Sequence, residues 1–401
     1  MALISVDEAL ERVLAGIRRL PAEKTPLHEA AGRVLAAKLS ALRTQPPFDV
    51  SAMDGYAVQA ADIATVPAIL SVIGEAAAGR RFSGRVRPGE AVRIFTGAPV
   101  PEGADTILIQ ENARPMEAGR IEAITSVVLG RHIRSAGTDF HNGDILLDDG
   151  RVLDPAALSL MAAAGHSHLP VVGRPLVAII ATGDELVPPG IEPGADQIVA
   201  SNSYGVAALA KQDGANILDL GIVPDRHESI SDAVRAALAA SADIIVTLGG
   251  VSVGDHDLVQ DVLQAEGMEL AFWKIAMRPG KPLMFGKLNS ARVLGLPGNP
   301  VSSLVCAHLF LRPMVARLSG RLYAPDIRSA TLARPMKANG ERRDYVRATV
   351  VQQQNDLLAT PFDVQDSSML TTLAAANALI LREPQAPAAD AGARCQVLML
   401  R

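Results

Sequence analysis

Residues 173–320 carry four continuously apolar runs, in RPLVAIIATG, ANILDLGIV, ADIIVTLGG and RVLGLPGN, with helix-like segments between them. A strand with no polar alternation is buried on both faces, and strands of that kind alternating with helices build a parallel sheet covered by helices on each side. Such sheets bind ligands in the crevice at the carboxyl ends of their strands. The loops that follow these runs are therefore where chemistry is expected: ATGDELV (181–187), GIVPD (221–225), TLGGVSVGDHD (247–257) and LPGNPVSSL (296–304). In the third, Gly249, Gly250 and Gly254, with Ser252 between them, let the backbone approach a ligand and present N–H groups to an anion, while Asp255 and Asp257 could hold a divalent cation. In the fourth, Gly298 and Asn299 precede Pro300 at a helix start, so that Ser302 and Ser303 add a further anion seat.

The chain of 401 residues is too long for one ordinary core. Its 38 Lys plus Arg against 43 Asp plus Glu give a net charge of −5, and no basic run offers a nucleic-acid backbone a footprint. Its apolar runs fall short of the roughly 20 residues that span a bilayer, so neither nucleic acid nor a membrane is an expected partner, and the expected location is the cytoplasm. Two cysteines, Cys306 and Cys395, make neither a disulfide framework nor a cysteine zinc site, and their apolar neighbours predict core packing.

Around the α/β segment the pattern changes. Ser5 and Glu8 have the spacing of a capping box ahead of a helix, a second helix is predicted over about Leu27–Leu39, and Asp154–Pro155 starts a third that Gly165 stops. Residues 41–149 alternate short β-like runs with Gly and Pro, and the tail from 321 does the same. The expected organisation is multidomain α/β plus β. Residues 1–40 and 150–172 form a discontinuous helical domain, 41–149 an inserted β-rich domain, 173–320 a three-layer α/β domain with a parallel sheet, and 321–401 a C-terminal β-barrel-like domain.

Further polar groups cluster outside the strand-end loops. FWKIAMRPGKPLMFG spaces Lys274, Arg278 and Lys281 around a Pro-Gly turn in an apolar setting, which suits an oxyanion or phosphate. PPFDVSAMDGYAV places Asp49, Ser51 and Asp54 in one dense turn, and FTGAPVPEGAD offers Thr96; taken alone, both fit turn chemistry. His141, His166 and His168 do not have metal-ligand spacing.

Seven segments in order along the chain, PFDVSAMDGYAV, FTGAPVPEGAD, ATGDELV, SNSYGVAALAKQDGA, TLGGVSVGDHD, FWKIAMRPGKP and GLPGNPVSS, resemble the MoeA family of molybdopterin molybdenumtransferases, relatives of the gephyrin E domain. The resemblance implies an elongated four-domain homodimer that inserts molybdate into adenylylated molybdopterin, hydrolyses the adenylate with the help of Mg²⁺, and releases molybdenum cofactor and AMP. It implies a molybdopterin adenylyltransferase as a partner. By motif, Asp54, Thr96, Asp139, Glu185, Asp225 and Asp257 take the family's functional polar positions, Glu185 and Asp257 as metal ligands. Lys274, Arg278, Lys281 and Pro282 match its oxyanion loop, Ser302 follows its PGNP turn, and Arg347 and Ser367 match an arginine and a serine that complete the molybdate pocket. Arg278 stands where many relatives have lysine, and GTDF at 137–140 departs from the acidic residue that often precedes the aspartate. A scaffold protein that keeps the fold without turnover, and a tungstate-inserting enzyme, are the competing readings.

Overall fold

The computed structural model describes residues 3–250, 258–354 and 356–401, so the expectations for Ser252, Gly254, Asp255 and Asp257 lie outside the described residues. The chain divides into two compact units, Met1–Glu23, Gly32–Ala36 and Pro170–Arg401 in the first, Lys24–Ala31 and Ala37–Leu169 in the second.

Helix α1 (Val6–Leu14) starts as its sequence predicts, with the Ser5 hydroxyl accepting from the Glu8 N–H at 3.1 Å. Its buried face, Val6, Ala9 and Val13, joins the core of the first unit beside Val177 and Phe310. The helix expected over Leu27–Leu39 does not form. A single 3₁₀ turn covers Leu27–Glu29, and Gly32, at φ +69°, breaks the helical run. Beyond it Leu39–Ser40 pairs as a strand with Ile145–Leu147.

The second unit is built on a six-stranded sheet of β1 (Gly55–Val58), β2 (Ala68–Ala76), β3 (Glu90–Ile94), β4 (Thr106–Ile109), β5 (Ala113–Met116) and β6 (Arg120–Ala123), in the order β4-β1-β3-β2-β6-β5. Its strands alternate between two small cores. Ala57, Val92, Ile94 and Ile107 face one side, and Val58, Ala91, Leu108 and Ile121 the other. Helix α2 (Pro155–Ala163) is capped by Asp154, whose carboxylate accepts the Ala157 N–H at 2.8 Å, and stops before Gly165 at φ +97°.

In the first unit, β7 (Leu176–Thr182), β8 (Asn216–Val223), β9 (Ile244–Leu248), β10 (Glu269–Lys274), β11 (Met277–Arg278), β12 (Pro282–Leu288) and β13 (Ala291–Leu296) are joined by α3 (Asn202–Gln212), α4 (His227–Ala239) and α5 (Leu258–Ala265). The sheet order is β8-β7-β9-β13-β12-β10. The four runs named above are the parallel strands β8, β7, β9 and β13, with Ala181 beside Leu248 and Leu248 beside Leu296 at their carboxyl ends. Helices cover both faces: Val177, Ile179 and Val246 point toward α3, whereas Ala178, Ile180 and Ile245 point toward α4 and α5. The sheet is mixed rather than purely parallel, because β12 and β10 add an antiparallel edge. Asn289, at φ +54°, makes the tight turn between β12 and β13.

After β13, α6 (Pro300–Cys306) runs through a π-helical stretch into α7 (Arg312–Leu318). Pro300–Leu318 is long and apolar enough to cross a membrane, and 78% of its most apolar window is buried within the protein core. The remaining strands are β14 (Ile327–Leu332), β15 (Arg343–Gln353), β16 (Asp356–Pro361), β17 (Ala378–Arg382) and β18 (Arg394–Met399). They pair in the ring β15-β17-β18-β14-β16-β15, so each has two partners within it and the sheet closes into a barrel, and β11 adds a third partner at the start of β15. Arg343, at the start of β15, forks onto Asp7 of α1 at 2.7 and 2.9 Å, tying barrel to first helix.

Candidate functional site

A cleft of about 780 Å³ opens at the carboxyl ends of β7, β9 and β13, where the sheet topology requires it. Its floor is backbone. Gly249, at φ +91°, comes so close to β7 that a Cβ would lie 2.7 Å from the Thr182 carbonyl oxygen, and one on Gly250, at φ +65°, would lie 2.1 Å from Val259 Cγ2. A Cβ on Gly298 would lie 3.8 Å from the Gly249 Cα, so two glycine turns face each other. Only glycine fits the first two positions; the Gly249 N–H donates to the Leu296 carbonyl at 3.2 Å, which pins the turn and leaves the Gly250 N–H as the amide there for an anion.

Three loops are tied together around this floor. Asn202, the first residue of α3, donates its Nδ2 to the Gly298 carbonyl at 2.7 Å. Asn299 donates its Nδ2 to the Ser367 hydroxyl at 3.0 Å, and the Val301 N–H donates to the Ser367 carbonyl at 3.0 Å. The 365–368 loop of the barrel is thereby latched to the start of α6, and Ser368 lines the cleft. Ser302, 4% exposed, is packed inside α6 rather than in the cleft wall.

Arg347 stands under that latched loop. It is 1% exposed, donates Nε to Gln365 Oε1 at 3.0 Å and Nη1 to the Asp366 carbonyl at 2.7 Å, and pairs with no carboxylate among the described residues. Burial pushes its guanidinium below the usual arginine range. Its hydrogen-bond acceptors are neutral, and the Asp366 carboxylate acts on it through space without an ion pair, so the buried guanidinium keeps attraction to spare for an anion.

The carboxylates occupy the opposite lip. Glu185 and Asp225 line the cleft, and the Asp225 N–H donates to Asp184 Oδ1 at 3.1 Å. Desolvation first, and then the charges of Asp184 and Glu185, hold the Asp225 carboxyl above the usual aspartate range. Among the described residues no three His, Cys, Asp or Glu side chains are arranged to hold a metal ion.

The basic loop divides by role. Lys274 lies over the Trp273 ring at 4.5 Å, and Arg278 is ion-paired with the buried Asp344. Lys281, half-buried, has no ion-pair partner among the described residues, and its neighbour Pro282 lines the cleft. Gly280, at φ +106°, presses this loop onto α6 so closely that a Cβ would lie 2.4 Å from Cys306 Sγ. Cys306 is fully buried and burial pushes its thiol well up, as its apolar context predicts.

Asp54 and Thr96 lie in the second unit and meet each other there. Asp54 Oδ1 accepts both the Thr96 N–H at 2.7 Å and the Thr96 hydroxyl at 2.8 Å, and these bonds hold its carboxyl below the usual range. Arg93, stacked 5.0 Å from the Tyr56 and Phe95 rings, adds a smaller effect of the same sign. Ser51 is turn chemistry, donating to the Met53 carbonyl at 2.6 Å, whereas Asp49 ties two distant segments together by accepting the Ala136 N–H at 2.8 Å. Asp139 is exposed in the same unit, its N–H donating to the Gln45 carbonyl at 3.1 Å. His166 sits 2.8 Å from the carbonyl of the distant Ser40, and His168 3.2 Å from the hydroxyl of its neighbour Ser167.

Thr182, Asn202, Ser203 and Ser368 line the cleft without having been singled out in the sequence. The loop before α3 gave the missed signal: SNS at 201–203 supplies three polar side chains at the mouth of a predicted parallel sheet.

Three family models match the chain: the MoeA N-terminal region (domains I and II) over residues 4–165, a probable molybdopterin binding domain over 178–317, and the MoeA C-terminal region (domain IV) over 329–400. A molybdopterin molybdenumtransferase of Haemophilus influenzae is 35% identical over 397 residues, covering 97% of each chain. One from Bacillus subtilis is 35% identical over 99% of this chain and 94% of its own. The crystal structure of a molybdopterin biosynthesis MoeA protein from Pyrococcus horikoshii superposes over 100% of both chains with a TM-score of 0.84 at 28% identity. Full-length similarity in sequence and in structure places the chain in the MoeA family of molybdopterin molybdenumtransferases.

Proposed function

We propose that the protein is itself a molybdopterin molybdenumtransferase: it takes adenylylated molybdopterin and molybdate and releases molybdenum cofactor and AMP. The observation that carries this reading is Arg347, a buried cation with no ion-paired carboxylate among the described residues, beneath a barrel loop latched to the start of α6 beside the glycine-floored cleft. A site for a phosphoanhydride beside a site for a tetrahedral dianion is the pair of features this reaction needs.

The chemistry divides accordingly. The Gly250 amide receives the substrate's phosphates on a turn that the Gly249 N–H pins to Leu296, and Asn202 fixes the facing turn at Gly298. Lys281, with Arg347 beneath the latched loop, neutralises molybdate. The two thiols of the pterin dithiolene bond to molybdenum, and one molybdate oxygen leaves as water with both thiol protons. A water then attacks phosphorus, the bridging P–O bond breaks to free AMP, and a carboxylate of the Glu185–Asp225 lip takes the proton. The raised pKa of Asp225 brings it nearer to a general base that works at neutral pH. Mg²⁺ is commonly held by one or two carboxylates plus substrate phosphates, and Glu185 at this lip fits that mode; by the family resemblance Asp257, outside the described residues, would be the second ligand, and the ion would supply charge neutralisation to the phosphates.

We further propose that the enzyme works as a homodimer in the cytoplasm and receives its substrate from a molybdopterin adenylyltransferase. Two free cysteines fit a reducing compartment. The primary test incubates the purified protein with adenylylated molybdopterin, Mg²⁺ and molybdate, following AMP release and pterin-bound molybdenum together. Molybdate-dependent release of AMP is expected; tight pterin binding without turnover would instead make the protein a scaffold. Arg347→Gln should lower the rate at subsaturating molybdate roughly a hundredfold, the scale of losing one preorganised charge, while Arg347→Lys should recover part of it. Substituting tungstate for molybdate in the same assay separates the two oxyanions.

A further inference from the structure

The basic loop that carries Lys281 is fastened at several points. The Ile275 N–H donates to the Lys281 carbonyl at 3.1 Å and closes the loop on itself. The Ala276 N–H donates to the Ile4 carbonyl at 2.8 Å and the Arg343 N–H to the Ala276 carbonyl at 2.9 Å, so the loop hangs between the segment ahead of α1 and the barrel. There β11 lies parallel to the start of β15, with Met277 beside Arg343 and Arg278 beside Asp344. To these backbone bonds the side chains add an ion pair, from Arg278 Nη2 to Asp344 Oδ2. Its two ends differ: the Asp344 side chain is 7% exposed and the Arg278 side chain 59%. Arg278 is the one hydrogen-bond donor to the Asp344 carboxylate among the described residues, and a carboxylate taken that far from water is costly unless paired. Between Arg278 and Lys281 stand only Pro279, whose ring fixes φ, and Gly280, seated on Cys306 of α6. So short and constrained a span passes any shift of Arg278 on to Lys281.

We propose that Asp344 is a positioning residue for molybdate: by holding Arg278 against β15 it fixes the loop that carries Lys281, and with it the place where that ammonium meets the oxyanion. The inference rests on the reading of Lys281 as a group that neutralises molybdate. It assigns the barrel a second hold on the site, separate from the 365–368 loop, and it gives Arg278 a structural partner in place of a free charge. The opposite arrangement, in which Arg278 is itself the oxyanion's ligand and Asp344 competes for it, predicts effects of the opposite sign, because removing a competitor strengthens binding.

Asp344→Asn keeps the shape of the side chain, removes the buried charge and leaves the exposed Arg278 in water, so the fold survives it; Arg278→Gln would instead strand a buried carboxylate. The test measures AMP release by the full-length protein with molybdate and adenylylated molybdopterin varied in turn, in wild type, Asp344→Asn, Lys281→Ala and the double variant, with thermal melts of each. Since a misplacement of about 1 Å can cost a hundredfold, Asp344→Asn should raise the KM for molybdate roughly tenfold or more and leave the KM for adenylylated molybdopterin unchanged. If Asp344 acts through Lys281, adding Asp344→Asn to Lys281→Ala brings no further rise, because the group it places is already gone. An unchanged or lowered molybdate KM in Asp344→Asn overturns the inference. A full further rise in the Lys281→Ala background overturns it too, since Arg278 would then act on the oxyanion by itself. So does a proportional loss for both substrates with a lowered melting point, which would make the pair a support of the fold alone. In each of these cases wild type still releases AMP with molybdate and the proposed function stands; wild type without molybdate-dependent release overturns both.

Discussion

Asp225 shows how one side chain reports the electrostatics of the whole lip. Its carboxyl is held above the aspartate range by desolvation and by Asp184 and Glu185, so the folded protein binds that proton more tightly than the unfolded chain does. Ionising Asp225 therefore costs stability, and the cost grows as pH rises above about 4 toward the raised folded value. Asp225→Asn should be more stable than wild type at neutral pH, by about 1 kcal/mol or less because the group is solvent-screened, with the difference vanishing near pH 3. Urea unfolding of both proteins across that range checks the sign; a gap that widened in acid would show that the neighbouring charges do not act as described. Gly249 and Gly298 of the floor were legible in the sequence because glycine-bearing loops recur at the ends of several strands, whereas Glu185 and Asp225 of the lip were picked out by the family resemblance of their motifs. Asn202 and Ser203 were not, since a polar pair at a helix start reads first as a cap, and only the fold shows Asn202 spanning to Gly298.

At the scale of elements, the site depends on one latch between two segments far apart in sequence. Asn299 and Ser367 bring the barrel loop onto the start of α6, and Asn299→Ala should free that loop. The expected result is a stability loss of about 1 kcal/mol for one hydrogen bond and a rise in the apparent molybdate constant, with kcat reduced less than by Arg347→Gln. Steady-state kinetics and thermal melts separate the two effects. The parallel strands were readable from their apolar character, yet the antiparallel edge was not, because β10 is bounded by Glu269 and Lys274 and the segment after it reads first as a basic Pro-Gly loop. Its one local sign, Asn289 in the β12–β13 turn, is a single residue. The false helix over Leu27–Leu39 has the opposite cause. Its apolar spacing is helical, but Gly32 adopts a left-handed conformation that helical spacing does not reveal.

At the scale of the molecule, each compact unit has hydrophobic cores of its own: Val92, Ile94 and Leu108 among others in the second, Ile179, Val246 and Phe310 in the first. Chains built this way rarely unfold in one step. Scanning calorimetry should resolve at least two transitions. Substrate should raise only the one that belongs to the first unit if the cleft there holds it alone, and a single two-state transition would show that the units unfold as one body. Acid should weaken the first unit through His308, which burial and Arg312 hold neutral with a pKa pulled down to about 4. Its contribution is complete above the unfolded value near 6.5 and is lost as pH falls toward 4.

The close seat of Gly280 on Cys306 means that the reach of Lys281 is set by an atom 26 positions away in the sequence. Any side chain at 280 must be accommodated by removing bulk at 306, so the two positions form a lock and its tumbler: Gly280→Ala should be harmful alone and partly relieved by Cys306→Gly. Drift at a buried thiol that touches no substrate can therefore retune where the oxyanion loop sits, which makes position 306 a silent adjuster of the site.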